Sequence, residues 1–284
     1  MNQDKPLFIV TGATGGIGRA TAVALAIEGK PLVLACRNVN TAAIFARELI
    51  AKTGNDDITV LRLDLASFAG IRTFVDDLKA LNRPVAAVMN VAGVMTRTSM
   101  ITDDGFEQAV QVNYLGTALL NILVAPLINK GGHIVFTTSL TRLVSRIPEQ
   151  FPHESNFSQL GTYGRSKLAL TLFAIYLTTV LKTAGVIVAC ADPGVVNTNM
   201  ITMHRWYDRI ADHLFRPLIS TPAQGAQALL TALNATESGL LFHGDETKRL
   251  VSSLKDKDTF VNLLNNTLRI INREKKYACP AEAF

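Results

Sequence analysis

Leu7-Phe-Ile-Val-Thr-Gly-Ala-Thr-Gly-Gly-Ile-Gly18 decides the fold of this 284-residue chain. A β-branched apolar run ends in a glycine-rich turn, and a helical pattern of apolar residues begins near Gly16. That order reads as a strand, a tight turn and a helix, the opening of a βαβ unit. Gly12 can take the backbone conformation of the turn. Gly16 and Gly18 remove side chains where backbone must approach a diphosphate and where the helix packs on the sheet. Thr14, Gly15 and Ile17 belong to the same candidate loop, since the free N–H groups and dipole of a helix beginning there favour an anion. Glycines at 12, 16 and 18 depart from the usual Gly-x-Gly-x2-Gly spacing. The position directly after an apolar strand is what favours a dinucleotide over a purely structural turn.

The same rhythm continues along the chain. Strands are expected at 7–11, 31–36, 58–63, 85–89, 132–138, 186–191 and, weakly, 240–242. Helical patterns lie between them at 16–29, 39–53, 67–81, 104–128, 157–184 and 222–235. The strands are near-continuously apolar, as parallel strands covered on both faces must be. The expectation is a single α/β domain over 1–284: a doubly wound, mostly parallel sheet with helices on both faces. Two connections are long, Leu140 to Gln159 and 195–220, the second carrying Trp206, Tyr207 and Phe215. Both follow carboxyl ends of strands, where open α/β sheets bind ligands, so 195–220 is read as a lid over a lipophilic substrate.

The composition, 48% apolar and 18% charged, suits a well-buried α/β protein and argues against disorder. The net charge of +5 is spread, with Arg273-Glu-Lys-Lys276 the one cluster, so no nucleic acid is expected. Cys36, Cys190 and Cys279 lie far apart and the five histidines show no ligand spacing, so neither a disulfide framework nor a metal is implied. A reducing compartment, the cytoplasm, is the expected location. The start, Met-Asn-Gln-Asp-Lys-Pro, lacks the features of a signal peptide. The apolar segments Tyr114 to Ile128 and Leu168 to Leu181 fall short of the roughly 20 residues that span a bilayer, so both read as core helices with no integral membrane segment expected.

Chemistry gathers where the strands end. Tyr163 and Lys167 share a helical face at a spacing of four. A lysine ammonium there is expected to lower the phenol from its ordinary value near 10 toward the working range of an acid or base. Ser139, after the apolar run Ile134 to Thr138, can hydrogen-bond a substrate oxygen as its charge changes. Asn113, a poor helix former in mid-helix, can hold a water that relays protons to Lys167. The second strand ends in Cys36-Arg37 with no carboxylate for a ribose 2′-hydroxyl. Arg37 can fork onto a 2′-phosphate, so NADP(H) is preferred over NAD(H). Asp64 and Leu65 end strand three near the adenine, and Asn90, Ala92 and Gly93 end strand four beside the cofactor, although Asn, Asp and Gly also serve as turn-formers. Pro193 and Gly194 fix a turn near the nicotinamide, with Val196 and Thr198 just beyond.

In this order, Thr11 to Gly18, Asn90-x-Ala92-Gly93, Asn113, Ser139, Tyr163-x3-Lys167 and Pro193-Gly194 resemble the short-chain dehydrogenase/reductase family over essentially the whole chain. A closer resemblance is to the retinol-dehydrogenase and WW-domain-oxidoreductase-like branch. It rests on Ala35-Cys-Arg37, Ala92-Gly-Val-Met95, Val112-Asn-Tyr-Leu-Gly116, Thr221-Pro-x-Gln-Gly-Ala226 and Ser238-Gly-Leu-Leu-Phe242. The resemblance implies a Rossmann-like seven-stranded sheet, NADP(H) and a lipophilic alcohol or carbonyl substrate. It also implies helices at 104–128 and 157–184 like those that pair relatives, hence a homodimer. Two departures stand out: Val91 where a second asparagine is usual, and Asp192 where a histidine commonly precedes Pro-Gly. With a strand expected at residue 7, the amino-terminal anchor of membrane-bound relatives is not expected here. The leading expectation is a carbonyl reductase, reversible as an alcohol dehydrogenase. Reduction of a carbon–carbon double bond and a non-catalytic dinucleotide sensor are the alternatives.

Overall fold

The computed structural model describes residues 5–153, 156–194 and 221–272. Its frame is a sheet in the order β3-β2-β1-β4-β5-β6-β7-β8. The strands are β1 Leu7–Thr11, β2 Leu32–Cys36, β3 Ile58–Arg62, β4 Val85–Asn90, β5 Ile128–Thr137, β6 Ile187–Asp192, β7 Leu240–His243 and β8 Glu246–Arg249. The first seven run parallel, with Ile9 beside Val33 and Val88, and Val135 beside Met89 and Ala189. The jump from β3-β2-β1 to β4 opens the crevice at the carboxyl ends of β1 and β4.

Alternation along each strand feeds two cores. Ile9, Val88, Ile134 and Phe136 point to one face, with Phe74, Tyr114 and Phe173. Val10, Met89 and Val135 point to the other, with Leu25, Phe45 and Leu229. Helices α3 (Phe68–Ala80), α5 (Gly116–Val124), α6 (Gln159–Val180) and α8 (Lys257–Ile271) cover the first face. Helices α1 (Gly16–Ile27), α2 (Val39–Thr53) and α7 (Pro222–Leu233) cover the second.

Eight strands replace the expected seven. β8 runs antiparallel to β7 after the two-residue connection Gly244-Asp245, with Gly244 at φ 53°. Glu246-Thr-Lys-Arg249 is exposed throughout, so it carries no apolar signal, and its charges blunt the sheet edge. Helix α8 was not expected either. It buries Phe260, Leu263, Leu264, Thr267 and Ile271 at helical spacing behind the N-cap Asp256, a signal present in the sequence.

The helix expected at 104–128 begins later and is not uniform. Asp103-Asp-Gly105 forms a turn, and Glu107 caps the short α4 (Gln108–Val110) by accepting from Ala109 N at 2.7 Å. A π-helical segment, Gln111–Leu115, then leads into α5. The run Gln108–Leu127 is therefore 20 residues long and, by length and composition, apolar enough for a bilayer, longer than expected. Its most apolar window is 72% buried inside the fold, as a core helix is. The other elements keep their expected places, with ends moved by at most four residues.

Candidate active site

Thr11 closes β1 and ties down the turn after β4. Its hydroxyl accepts from Val91 N and Ala92 N, each at 3.0 Å. Gly12, at φ 65°, sits so close to that turn that an added Cβ would lie 2.9 Å from Ala92 Cα. A Cβ on Gly18 would lie 2.2 Å from Gly12 O, so the first turn of α1 folds tightly onto the loop. Gly15 caps α1 without a side chain, whereas α2, α3, α7 and α8 are capped by Asn38, Ser67, Thr221 and Asp256. The N–H groups at Gly16, Ile17 and Gly18 thus begin a helix with no side-chain acceptor, at the crevice where strand order reverses. This cradle of glycines and uncapped N–H groups fits a dinucleotide diphosphate.

Beside it, Thr14 hydrogen-bonds the Cys36 thiol through backbone and side chain, while burial pushes that thiol above its ordinary range. Arg37 follows, exposed. Asp64 turns its carboxylate onto Ala66 N at 3.1 Å, a local turn, and Leu65 is buried. Asn90 points into the core. Its amide donates to Asn121 Oδ1 at 3.1 Å and receives Asn121 Nδ2 at 2.8 Å, so only its main chain remains for a ligand.

Gly93, Asn113 and Lys167 converge. A Cβ on Gly93 would lie 3.3 Å from Asn113 Oδ1 and 3.4 Å from Lys167 Nζ. Asn113, in the π-helical segment, clamps the strand-four turn: its Oδ1 accepts from Val94 N at 2.7 Å. Its Nδ2 donates to Val94 O at 2.8 Å and to Ser166 Oγ at 3.0 Å. Both amide hydrogens are therefore committed to protein. A relay water at Asn113 would have to donate to Oδ1 or to its main-chain carbonyl. A π segment at a site is the usual mark of a re-aimed side chain.

Lys167 is buried and donates to Thr137 O at 2.9 Å, leaving two ammonium hydrogens. Burial pushes it down to about 8, against the opposing pull of Asp192 and Cys190. Tyr163 hydrogen-bonds Ser139, but burial pushes the phenol up to about 12, with Asp192 adding to the rise. The expected lowering of Tyr163 by Lys167 is not what the protein alone displays. The lysine lies 5.8 Å from the ring centroid, and desolvation favours the neutral form of both groups. Ser139 Oγ also accepts from Thr141 Oγ1 at 3.1 Å, which orients it.

Gly194, at φ 71°, turns the chain after Pro193 and donates its N–H to Asp192 Oδ1 at 3.1 Å. Val196, Thr198 and the expected lid at 195–220 lie outside the described residues. Two residues that sequence reasoning missed complete the site. Arg142 pairs with Asp192 at 2.6 Å, and Asn121 pairs with Asn90. Asp192 stood out in the sequence, whereas Arg142 looked like any loop arginine.

A cavity of about 370 Å³ lies along the loop that follows Ser139, from Leu140 to Ile147, and Ser139, Tyr163 and Lys167 are not among its lining residues. Leu143, Ile147, Leu168, Leu172 and Leu241 form much of its wall.

The short chain dehydrogenase family model matches residues 7–206. The chain belongs to that family. Polyprenol dehydrogenase of Mus musculus is 37% identical over 83% of this chain and 73% of its own length. Retinol dehydrogenase 11 of Mus musculus is 38% identical over 78% of this chain and 71% of its own. A short chain dehydrogenase from Burkholderia cenocepacia J2315, solved in complex with NADP, shares the fold. Its TM-score is 0.68 at 21% identity, over 86% of this chain and 98% of that one. This short-chain dehydrogenase stands in the retinol-dehydrogenase-like branch. It is an oxidoreductase acting on alcohols or carbonyls.

Proposed function

We propose that this enzyme interconverts a lipophilic carbonyl and its alcohol with NADP(H), and that Tyr163 is its general acid and base. The observation that carries the reading is the convergence of Asn113 and buried Lys167 on Gly93, with Ser139 beside the Tyr163 phenol. When bound, the nicotinamide supplies or removes the hydride equivalent at the substrate carbon. Tyr163 gives its proton to the carbonyl oxygen in reduction and takes one from the alcohol in oxidation. Ser139 donates to the same oxygen and holds it at the phenol. Lys167 would offer its remaining hydrogens to ribose hydroxyls of the cofactor, and its charge favours the phenolate once the proton has left. Asn113 and Thr11 act by holding the Ala92-Gly93 turn in place.

Arg37 would receive the 2′-phosphate, supported by its exposure and by the uncharged Cys36 beside it. Relatives named for polyprenol and retinol support a large apolar substrate, and the largely apolar cavity along the loop after Ser139 is compatible with one. The test is NADPH oxidation with retinal, a long-chain isoprenoid aldehyde and a small polar aldehyde, next to calorimetric titration with NADPH and NADH. Preferred turnover of the lipophilic aldehydes with NADPH is expected. Tighter binding of NADH, or turnover of the polar aldehyde alone, would overturn the corresponding half of the proposal.

A further inference from the structure

The β5–β6 ladder ends where Thr138 N donates to Ala191 O at 2.8 Å. Beyond it, Ser139 and Pro193-Gly194 leave the sheet in separate loops. One buried ion pair spans the gap. Arg142 Nη1 donates to Ser139 O at 2.9 Å and to Asp192 Oδ2 at 2.6 Å, while Asp192 Oδ1 receives Gly194 N at 3.1 Å. Arg142 is 5% exposed and Asp192 1%.

We propose that Arg142 and Asp192 are positioning residues: their pair locks the Ser139 loop to the Pro193-Gly194 turn and sets the charge around Tyr163 and Lys167. A buried pair is a poor stability device, because desolvating two ions consumes most of their attraction. Among the described residues Arg142 Nε finds no partner, so the pair is not optimised for stability. What the pair does supply is a fixed distance between two loops that each bear on the reacting atoms.

Its charge reaches the chemistry as well. The groups around the Asp192 carboxylate are Arg142 from the 3₁₀ turn Leu140–Val144, His243 from β7 at 3.8 Å, Tyr163 and Lys167 from α6, and Cys190 from its own strand. The carboxylate favours the proton on both Tyr163 and Lys167. Neutralising it should therefore ease ionisation of the phenol.

The proposal rests on the reading above only for the roles of Ser139 and Tyr163, so its first readout needs no turnover. The phenol of Tyr163 is titrated by ultraviolet difference against Tyr163→Phe, in the otherwise wild-type protein and in Asp192→Asn. Asp192→Asn is expected to lower that phenol by about one unit. The double variant Arg142→Met/Asp192→Asn, which leaves no unpaired buried charge, keeps the test open where a single variant fails to fold. In it the phenol should return toward the wild-type value while kcat stays at least about 10-fold down, because the loop tie is gone. Arg142→Lys should recover part of that kcat with KM unchanged. A phenol that does not move in Asp192→Asn would overturn the electrostatic half. A double variant with wild-type kcat, or losses that only track the folded fraction, would overturn the positioning half. Should the wild type bind NADPH yet reduce no carbonyl, the proposed function falls while the titration still decides the pairing.

Discussion

Tyr163 stays protonated in the protein alone, so the phenol is in the form that has a proton to give in reduction. Tyr163→Phe keeps the ring and deletes the acid, so kcat should fall at least about 100-fold. Calorimetry should find NADPH bound as in the wild type; near-normal turnover would remove the phenol from the mechanism. The ribose selector gives a second test. Cys36→Asp with Arg37→Ala adds a repulsive carboxylate and removes a cation, so the ratio of NADPH to NADH dissociation constants should shift toward NADH. An unchanged ratio would show that Arg37 does not meet the 2′-phosphate. Tyr163, Lys167 and Ser139 could be singled out in the sequence because spacing and strand ends are local facts. The commitment of Asn113 to Val94 could not, because its partner stands 19 residues away across a turn.

At the scale of elements, the π-helical segment Gln111–Leu115 runs directly into Gly116, which packs against the turn after β3. A Cβ on Gly116 would lie 2.2 Å from Leu65 O, and neither backbone can move aside cheaply. Gly116→Ala should destabilise the protein by about 1–3 kcal/mol, the usual cost of overpacking. Urea unfolding measures this; a loss within error would mean the two backbones part freely. Helix α8 packs its apolar stripe on the same face and hydrogen-bonds Tyr114 to Thr267 at 2.5 Å. Leu263→Ala there should cost about 2–5 kcal/mol, read from the same unfolding curves. The α8 stripe was legible and passed over, whereas β8 was hard to see, since an exposed charged edge strand has no apolar period. The need for glycine at 116 was illegible for another reason: the Leu65 carbonyl it packs on belongs to a different part of the chain.

Across the whole molecule, buried titratable groups make stability depend on pH. Lys167 is held at about 8, below its ordinary value, so between there and its unfolded range the unfolded chain binds the extra proton. Its contribution to stability therefore rises with pH through that window. Cys190 and Tyr163 are both pushed up to about 12, so the native state keeps protons the unfolded chain loses, and stability falls at higher pH. The difference in melting temperature between the cofactor-free wild type and Lys167→Met should grow in favour of the wild type from pH 8 upward. A flat difference would mean that Lys167 is not desolvated.

The sequence by itself determined the parallel sheet, the glycine cradle and the Tyr163–Lys167 helix, because apolar runs, glycine turns and helical spacing act over a few neighbouring residues. Only the tertiary structure decided what the polar groups do. Asn90 meets Asn121 across 31 residues and Arg142 meets Asp192 across 50. A buried donor must find whichever acceptor the packed chain brings within about 3 Å, and no local pattern encodes that choice.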